Sequence, residues 1–206
     1  MKLLIIDDHV IVREGVHRLL APYADIVVRD AAGATQALSI FRTHRPDVVL
    51  LDLNLPNASG LELLRRLLKD DRNAQVLVFS MHSEPLYASR ALNAGARGYI
   101  SKGAAAEELV TAIRRVAEGG RYVEREIAAQ IVLMPSAGAD PLQSLSTREA
   151  DILRMLAEGK TLAAIASARG VTYKTIANSC AALKEKLGVA RTGDLIRLAI
   201  EMRDGR

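Results

Sequence analysis

The stretch Val48-Val49-Leu50-Leu51-Asp52-Leu53-Asn54-Leu55-Pro56 decides the fold. Four apolar residues run into an acid and then a proline, the pattern of a strand buried on both faces with a polar group at its carboxyl end. Working outward, similar short runs fall at Leu3–Ile6 and Ile26–Arg29 before it and at Val76–Ser80 and Gly98–Ser101 after it. Segments of helical period fill the gaps. Strands this apolar need helices on both sides of their sheet, so the alternation predicts a doubly wound parallel α/β domain of five βα units ending near Gly119-Gly120.

Past residue 120 the pattern changes. A short helical segment at about 125–134 precedes Pro135-Ser-Ala-Gly-Ala-Asp-Pro141, whose prolines and glycine break regular structure and read as a linker. Beyond it the periodicity is helical only. Ser146 and Glu149 form a capping box ahead of the apolar stripe Ile152, Leu153, Leu156. A second helix is predicted from Thr161 to Ala168, closing at Gly170. Thr172 caps a third that reaches Leu187 and stops at Gly188, and Thr192 caps a fourth with Leu195, Ile196 and Ala199 inward. Helix, glycine-containing turn and helix make a helix-turn-helix. The chain is thus expected to divide into an α/β domain over residues 1–120, a linker with a short helix over 121–141, and an all-α helix-turn-helix domain over 142–206. No internal repeat interrupts this division.

Length and composition agree with it: 206 residues at 50% apolar content suffice for two modest cores. The single cysteine, Cys180, excludes an internal disulfide and is expected to be an inert, partly buried thiol. The opening Met-Lys-Leu-Leu lacks the layout of a secretory signal, so a reducing cytoplasm is expected. No apolar run approaches the roughly 20 residues a membrane helix needs. The net charge of +4 is uneven: +1 over residues 1–120, −1 over 121–141 and +4 over 142–206. The surplus lies where a polyanion would bind.

Ligands of parallel α/β sheets bind beyond the carboxyl ends of the strands. The residues there are Asp7 and Asp8 after the first strand, Asp52 after the third, Ser80 at the end of the fourth and Lys102 after the fifth. Two carboxylates about 4 Å apart repel by about 4 kcal/mol at an effective dielectric near 20, so three of them require a cation. Oxygen donors at these strand ends favour Mg²⁺, an ion that shares phosphate oxygens readily. Phosphoryl transfer needs a nucleophile, a metal and donors for the remaining charge. Asp52 is the candidate nucleophile, Asp7 and Asp8 the metal anchors, and Ser80 and Lys102 the donors.

The motifs Ile-Ile-Asp7-Asp8-His, Leu-Leu-Asp52-Leu-Asn-Leu-Pro56, Phe-Ser80-Met and Gly-Tyr99-Ile-Ser-Lys102-Gly resemble those of a response-regulator receiver, over nearly all of residues 1–120. The resemblance implies a flavodoxin-like five-stranded domain whose Asp52 takes a phosphoryl group from the phosphohistidine of a sensor histidine kinase. It implies Mg²⁺ held by Asp8, Asp52 and the main-chain carbonyl of Asn54, with Asp7 acting mostly through water. It makes Ser80 and Tyr99 a switch pair and Lys102 the phosphate's ion-pair partner. Gly60, Gly95 and Gly98 are expected to be loop and helix-end glycines. The only catalysis implied is Mg²⁺-dependent self-phosphorylation and autodephosphorylation. A Mg²⁺-dependent small-molecule phosphatase is a competing reading, but the chain offers no cap domain or pocket loops for it.

Leu145-Ser-Thr-Arg-Glu149, Leu156-Ala-Glu-Gly159, Lys174-Thr-Ile176 and Leu183-Lys-Glu-Lys-Leu-Gly-Val189 resemble the LuxR-type domain of the NarL/FixJ family over about residues 143–202. The resemblance implies promoter DNA as partner and homodimerisation on phosphorylation. Members usually carry Asn-Lys-Glu where this chain has Leu162-Ala163-Ala164, and Val-Lys-x-His-Arg where it has Ile176-Ala177-Asn178-Ser179-Cys180. DNA contact would then fall to Tyr173, Lys174, Thr175, Asn178 and Ser179, with Lys184, Lys186 and Arg191 as remaining cations. The alternative is a domain acting mainly through protein contacts, with Ala163, Ala164, Ala177, Ala181 and Ala182 as its small apolar surface.

Overall fold

Strand β1 (Lys2–Ile6) leads into helix α1 (Val10–Leu20), and the alternation continues through β2 (Val27–Ala31), α2 (Ala34–His44) and β3 (Val48–Leu51). A two-residue antiparallel pair, β4 (Asn54–Leu55) with β5 (Ala58–Ser59), precedes α3 (Gly60–Asp70), β6 (Val76–Ser80), α4 (Pro85–Asn93), β7 (Gly98–Ser101) and α5 (Ala106–Ala117). This computed structural model describes residues 1–55, 58–81, 85–133, 145–189 and 191–204. The expected linker, 135–141, lies outside them.

All main-sheet pairings are parallel, in the order β2-β1-β3-β6-β7-β8. The sixth strand, β8 (Tyr122–Val123), was not expected: it extends the sheet beside β7, with Gly98 opposite Tyr122 and Tyr99 opposite Val123. Two residues carry too little pattern to be read as a strand, and what defines this one is its partner. Gly98 is a strand residue, not a loop glycine. A Cβ there would lie 2.5 Å from the Tyr122 carbonyl oxygen, so glycine is what lets β8 come this close.

β1, β3, β6 and β7 are buried almost throughout. One face of the sheet presents Leu3, Ile5, Val48, Leu50, Leu77, Phe79 and Ile100 to Val16 and Leu20 of α1 and to Leu109, Val110, Ile113 and Val116 of α5. The alternate residues Leu4, Ile6, Val49, Leu51, Val76 and Val78 are equally buried on the opposite face. β2 departs from the expectation of a two-sided apolar strand. It forms an edge, starts one residue later than Ile26, and alternates between exposed and half-buried residues before the buried Ala31, with Val27 59% exposed.

After β8 comes α6 (Arg125–Leu133), the short helix expected there. Helices α7 (Thr147–Ala157), α8 (Leu162–Ala168), α9 (Tyr173–Leu187) and α10 (Thr192–Asp204) follow. Their caps explain their starts. The Ser146 hydroxyl accepts from the Glu149 N–H while the Glu149 carboxylate accepts from the Ser146 N–H, closing the capping box. Thr161 and Thr172 accept from Ala164 and Thr175 N–H. Thr192 does not cap α10 as expected. It is the first helical residue, and the Asp194 carboxylate accepts from the Arg191 N–H just ahead of it. Gly188 ends α9 at φ 65°, a left-handed position suited to glycine. Ile152, Leu156, Ile165, Ile176, Cys180, Leu183, Leu187, Leu195 and Leu198 form the core, with Leu198 buried more deeply than the expected Ile196.

The chain divides into two compact units, Met1–Ser83 with Arg90–Ala129, and Glu84–Ser89 with Gln130–Arg206.

Candidate functional site

The parallel register sets the carboxyl ends of β1, β3, β6 and β7 side by side, so residues far apart in sequence meet. The Asp52 N–H donates to the Ile6 carbonyl (2.8 Å), tying the end of β3 to β1, and the Lys102 N–H to the Ser80 carbonyl (2.8 Å), tying the end of β7 to β6. Asp7, Asp52 and Ser80 are all at most 2% exposed.

Lys102 sits among the acids. Its Nζ lies 2.7 Å from Asp7 Oδ2 and 2.7 Å from Asp52 Oδ2, with the side chain almost wholly buried. The other Asp52 oxygen, Oδ1, accepts from the Asn54 N–H (3.1 Å). Burial raises the Asp52 pKa above the usual carboxylate range, against the opposing pull of Lys102 and the Asn54 N–H. Burial opposes the charge on Lys102 as well, but the two carboxylates outweigh it and hold the ammonium protonated.

Asp7, Asp8, His9 and Asp52 each offer a ligand atom within 4.8 Å of the other three. Asp7 Oδ2 faces Lys102 without an aligned hydrogen bond, and Asp8 Oδ1 is shut off from solvent with none, although His9 Nδ1 is 2.9 Å away. Buried carboxylate oxygens without aligned donors are what a hard cation would satisfy, so the residues fit a Mg²⁺-type site.

Ser80 is paired across the sheet with Ser101, and Tyr99 with Val78. Ser80 and Tyr99 therefore share one face of the sheet, offset by two residues along adjacent strands. Tyr99 is fully buried.

Three neighbours escaped the reading of the sequence. Arg13 on α1 donates to the Asp7 carbonyl (2.8 Å) and pairs with Asp30 (2.9 Å), fixing the first acid loop. Glu124, just after β8, accepts from the Ser101 N–H (2.8 Å) and donates its own N–H to the Tyr99 carbonyl (3.1 Å). Nothing local marks these two. His9 did carry a signal, since it directly follows the paired acids. Gly60 is the first residue of α3, and a Cβ there would meet the Leu53 Cα at 2.4 Å and the Asp52 carbonyl oxygen at 2.6 Å. The missing side chain lets the start of α3 lie against the Asp52–Leu53 backbone, where the Gly60 N–H donates to the Leu53 carbonyl (3.1 Å).

Residues 3–114 match the family profile "Response regulator receiver domain", and residues 143–199 match "Bacterial regulatory proteins, luxR family". The chain is a two-component response regulator of the LuxR type. It is 36% identical to the methanol utilization control regulatory protein MoxX of Paracoccus denitrificans, over 100% of this chain and 93% of that one. It is 34% identical to the response regulator UvrY of Escherichia coli K12, over 97% and 94% of the two chains. Among solved structures it resembles RcsB from Salmonella enterica serovar Typhimurium, determined bound to a promoter in the presence of the phosphomimetic BeF3-. That likeness has a TM-score of 0.81 and 22% identity over 98% of both chains, and it supports the fold. The family is one of regulators, not conventional enzymes.

The response regulator's second candidate surface lies on α9. An open concavity of about 520 Å³ is lined by Arg148, Thr172, Lys174, Thr175, Asn178, Ser179 and Ala182. Lys174, Thr175, Asn178 and Ser179 were expected here. Tyr173 is exposed nearby, while the Ser179 hydroxyl donates to the Thr175 carbonyl (2.9 Å). Arg148, at the start of α7, is an addition that α9 alone could not reveal. Lys186 is committed to Glu149 (3.0 Å), and Arg154, Lys160 and Arg169 also pair with acids. Arg148, Lys174, Lys184 and Arg191 form no ion pair with a described residue. Cys180 is 3% exposed and its thiol pKa is pushed up by burial, so that position faces the core and not a phosphate. Ala163, Ala164, Ala181 and Ala182 are exposed. No helix among the described residues is long and apolar enough to cross a membrane.

Proposed function

We propose that this response regulator accepts a phosphoryl group on Asp52 from the phosphohistidine of a sensor histidine kinase and, so modified, changes its occupancy of promoter DNA. The observation that carries the reading is Lys102 Nζ at 2.7 Å from both Asp7 and Asp52 in a buried pocket at the strand ends. An Asp52 oxygen attacks phosphorus, the P–O bond forms as the P–N bond breaks, and the imidazole leaves with the electron pair and takes a proton from solvent. As Asp52 becomes an acyl phosphate, the Lys102 ammonium stays beside the new phosphoryl oxygens while keeping Asp7. The Ser80 hydroxyl donates to a phosphoryl oxygen, and Tyr99, on the same face, occupies the space behind it. Asp7, Asp8, Asp52 and the Asn54 carbonyl would hold Mg²⁺, which when bound would supply positive charge against the transferring group's oxygens.

In this reading the receiver spans residues 1–120, residues 121–141 form the connection, and residues 142–206 bind DNA. Tyr173, Lys174, Thr175, Asn178 and Ser179 face the duplex, with Lys184 and Arg191 near phosphates, while Lys186, paired with Glu149, supports the capping box instead. The polar, cationic lining of the concavity supports DNA over a protein partner at this surface. The phosphorylated form is a homodimer, and the protein works in the cytoplasm beside its kinase.

Incubation with a small phosphodonor and Mg²⁺, followed by intact-mass measurement, tests the receiver half. Wild type should gain one acid-labile phosphoryl group and Asp52→Asn none; equal gain in both overturns the assignment. Promoter-fragment binding with and without phosphodonor tests the other half, and a flat, weak isotherm in both states would refute it.

A further inference from the structure

Glu124 has no part in the phosphoryl chemistry above, yet it is bonded at two points to β7, the strand that carries Tyr99 and leads into Lys102. The ladder between β7 and β8 runs from the Tyr122 N–H to the Arg97 carbonyl (3.1 Å) and from the Glu124 N–H to the Tyr99 carbonyl (3.1 Å). Continued in the same parallel register, it would next join the Ser101 N–H to the Glu124 carbonyl. That carbonyl has turned away: it accepts from the Ala128 N–H (2.9 Å) and opens α6. The Glu124 carboxylate takes its place, accepting from the Ser101 N–H at 2.8 Å. Ser101 is 9% exposed, so this acceptor satisfies a largely enclosed donor at the point where β8 has ended.

Ser101 directly precedes Lys102. The Lys102 N–H is held by the Ser80 carbonyl (2.8 Å) on one side and the Ser101 N–H by Glu124 on the other, so the backbone from which Lys102 Nζ reaches Asp7 and Asp52 is fixed from both edges. The Tyr122 hydroxyl donates to Glu108 of α5 and fastens β8 in turn. We propose that Glu124 is a positioning residue for phosphoryl transfer to Asp52, and that it couples the state of that site to the start of α6. The proposal rests on the reading of Asp52 as the phosphoacceptor. When the phosphoryl group arrives, Lys102 takes new oxygens and the Tyr99 ring moves behind Ser80. Both changes flank Ser101, and they reach Glu124 through its bonds to the Tyr99 carbonyl and the Ser101 N–H. Because coupling between two sites is reciprocal, an ordered start of α6 also favours the phosphorylated arrangement of β7.

The experiment uses the full chain with a small phosphodonor and Mg²⁺. Labelling is followed by intact mass over a range of donor concentrations for wild type, Glu124→Ala, Glu124→Asp and Glu124→Gln, and amide hydrogen exchange is read over residues 98–102 and 125–129 before and after labelling. Glu124→Gln keeps an oxygen acceptor for the Ser101 N–H. Glu124→Asp keeps the charge and a good cap for α6 but is one methylene too short to reach it, and it folds even where Glu124→Ala does not. The labelling rate at saturating donor should fall about tenfold or more in Glu124→Ala and Glu124→Asp with little change in donor KM, and Glu124→Gln should restore most of it. A residue that only capped α6 would leave Glu124→Asp at the wild-type rate, and that result overturns the positioning role. In wild type and Glu124→Gln, labelling should change exchange over residues 125–129; in Glu124→Asp it should not. Exchange there that ignores the label in wild type overturns the coupling. Wild type that takes no label at Asp52 overturns the phosphoacceptor reading, and this proposal with it.

Discussion

Replacing Lys102 with methionine keeps the length of the side chain and removes the cation that faces both Asp7 and Asp52. Each carboxylate has an oxygen 2.7 Å from Nζ, so those two oxygens stand no more than 5.4 Å apart. At an effective dielectric near 20 their repulsion is at least about 3 kcal/mol once the ammonium is gone. Breaking a buried pair by removing one partner typically costs about 3–5 kcal/mol, in line with that figure. Lys102→Met should therefore lose about 3–5 kcal/mol in urea unfolding followed by circular dichroism at pH 7 without added divalent cation. The loss should depend on pH in a definite sense. Burial already raises the folded pKa of Asp52, and without Lys102 that pKa rises further. A carboxylate with a raised folded pKa contributes stability below its unfolded pKa and loses it as pH rises through the folded value. The deficit should be small near pH 4 and grow toward pH 7. A deficit under 1 kcal/mol at pH 7, or one equal at both pH values, would refute the placement of Lys102 as the counter-ion of two buried carboxylates.

Three further predictions concern other parts of the chain. Gly60→Ala forces a methyl into the Asp52–Leu53 backbone and should cost about 1–3 kcal/mol, with slower phosphorylation at Asp52; wild-type stability and labelling would contradict the close approach. Glu149→Ala opens the capping box and the Lys186 pair, and should cost about 1 kcal/mol at pH 7. Because the Ser146 backbone and hydroxyl and Lys186 hold the Glu149 pKa below its ordinary value, wild type loses this stability as pH falls through that lowered pKa, and the variant should lack that acid limb. In salt titrations of promoter binding, Arg148→Ala and Lys174→Ala should each reduce the slope by about 0.9. Lys186→Ala, already paired with Glu149, should change stability more than slope, and equal slopes in all three variants would argue against the concavity as the phosphate-facing surface.

Much of this was legible in one dimension. The runs at 3–6, 48–51, 76–80 and 98–101 could only be central strands, because a segment apolar on both faces has no solvent-facing alternative. Asp7, Asp8, Asp52, Ser80 and Lys102 could be placed together because parallel strands bring their carboxyl ends to one edge. Ser146, Thr161 and Thr172 marked helix starts because capping is a matter of neighbours three residues apart. β8 was not legible, since two residues have no periodicity and pair only because Gly98 leaves room for them. Arg13 and Glu124 reach the site from 6 and 23 residues along the chain from their partners, with no local pattern to announce them.

By itself, then, the sequence determined the class of each unit, the strand ends that hold the acids and the helix that presents Lys174 and Asn178. Those follow from local periodicity and the chemistry of single side chains. The tertiary structure decided which charges are already spent. Lys102 is shared between two buried carboxylates, Lys186 is taken by Glu149, and Cys180 is turned into the core, whereas Arg148 joins the concavity beside α9 with no acid among the described residues paired to it. Charge compensation and burial depend on distances across the fold, and a Coulomb interaction that falls with separation cannot be read from the order of residues alone.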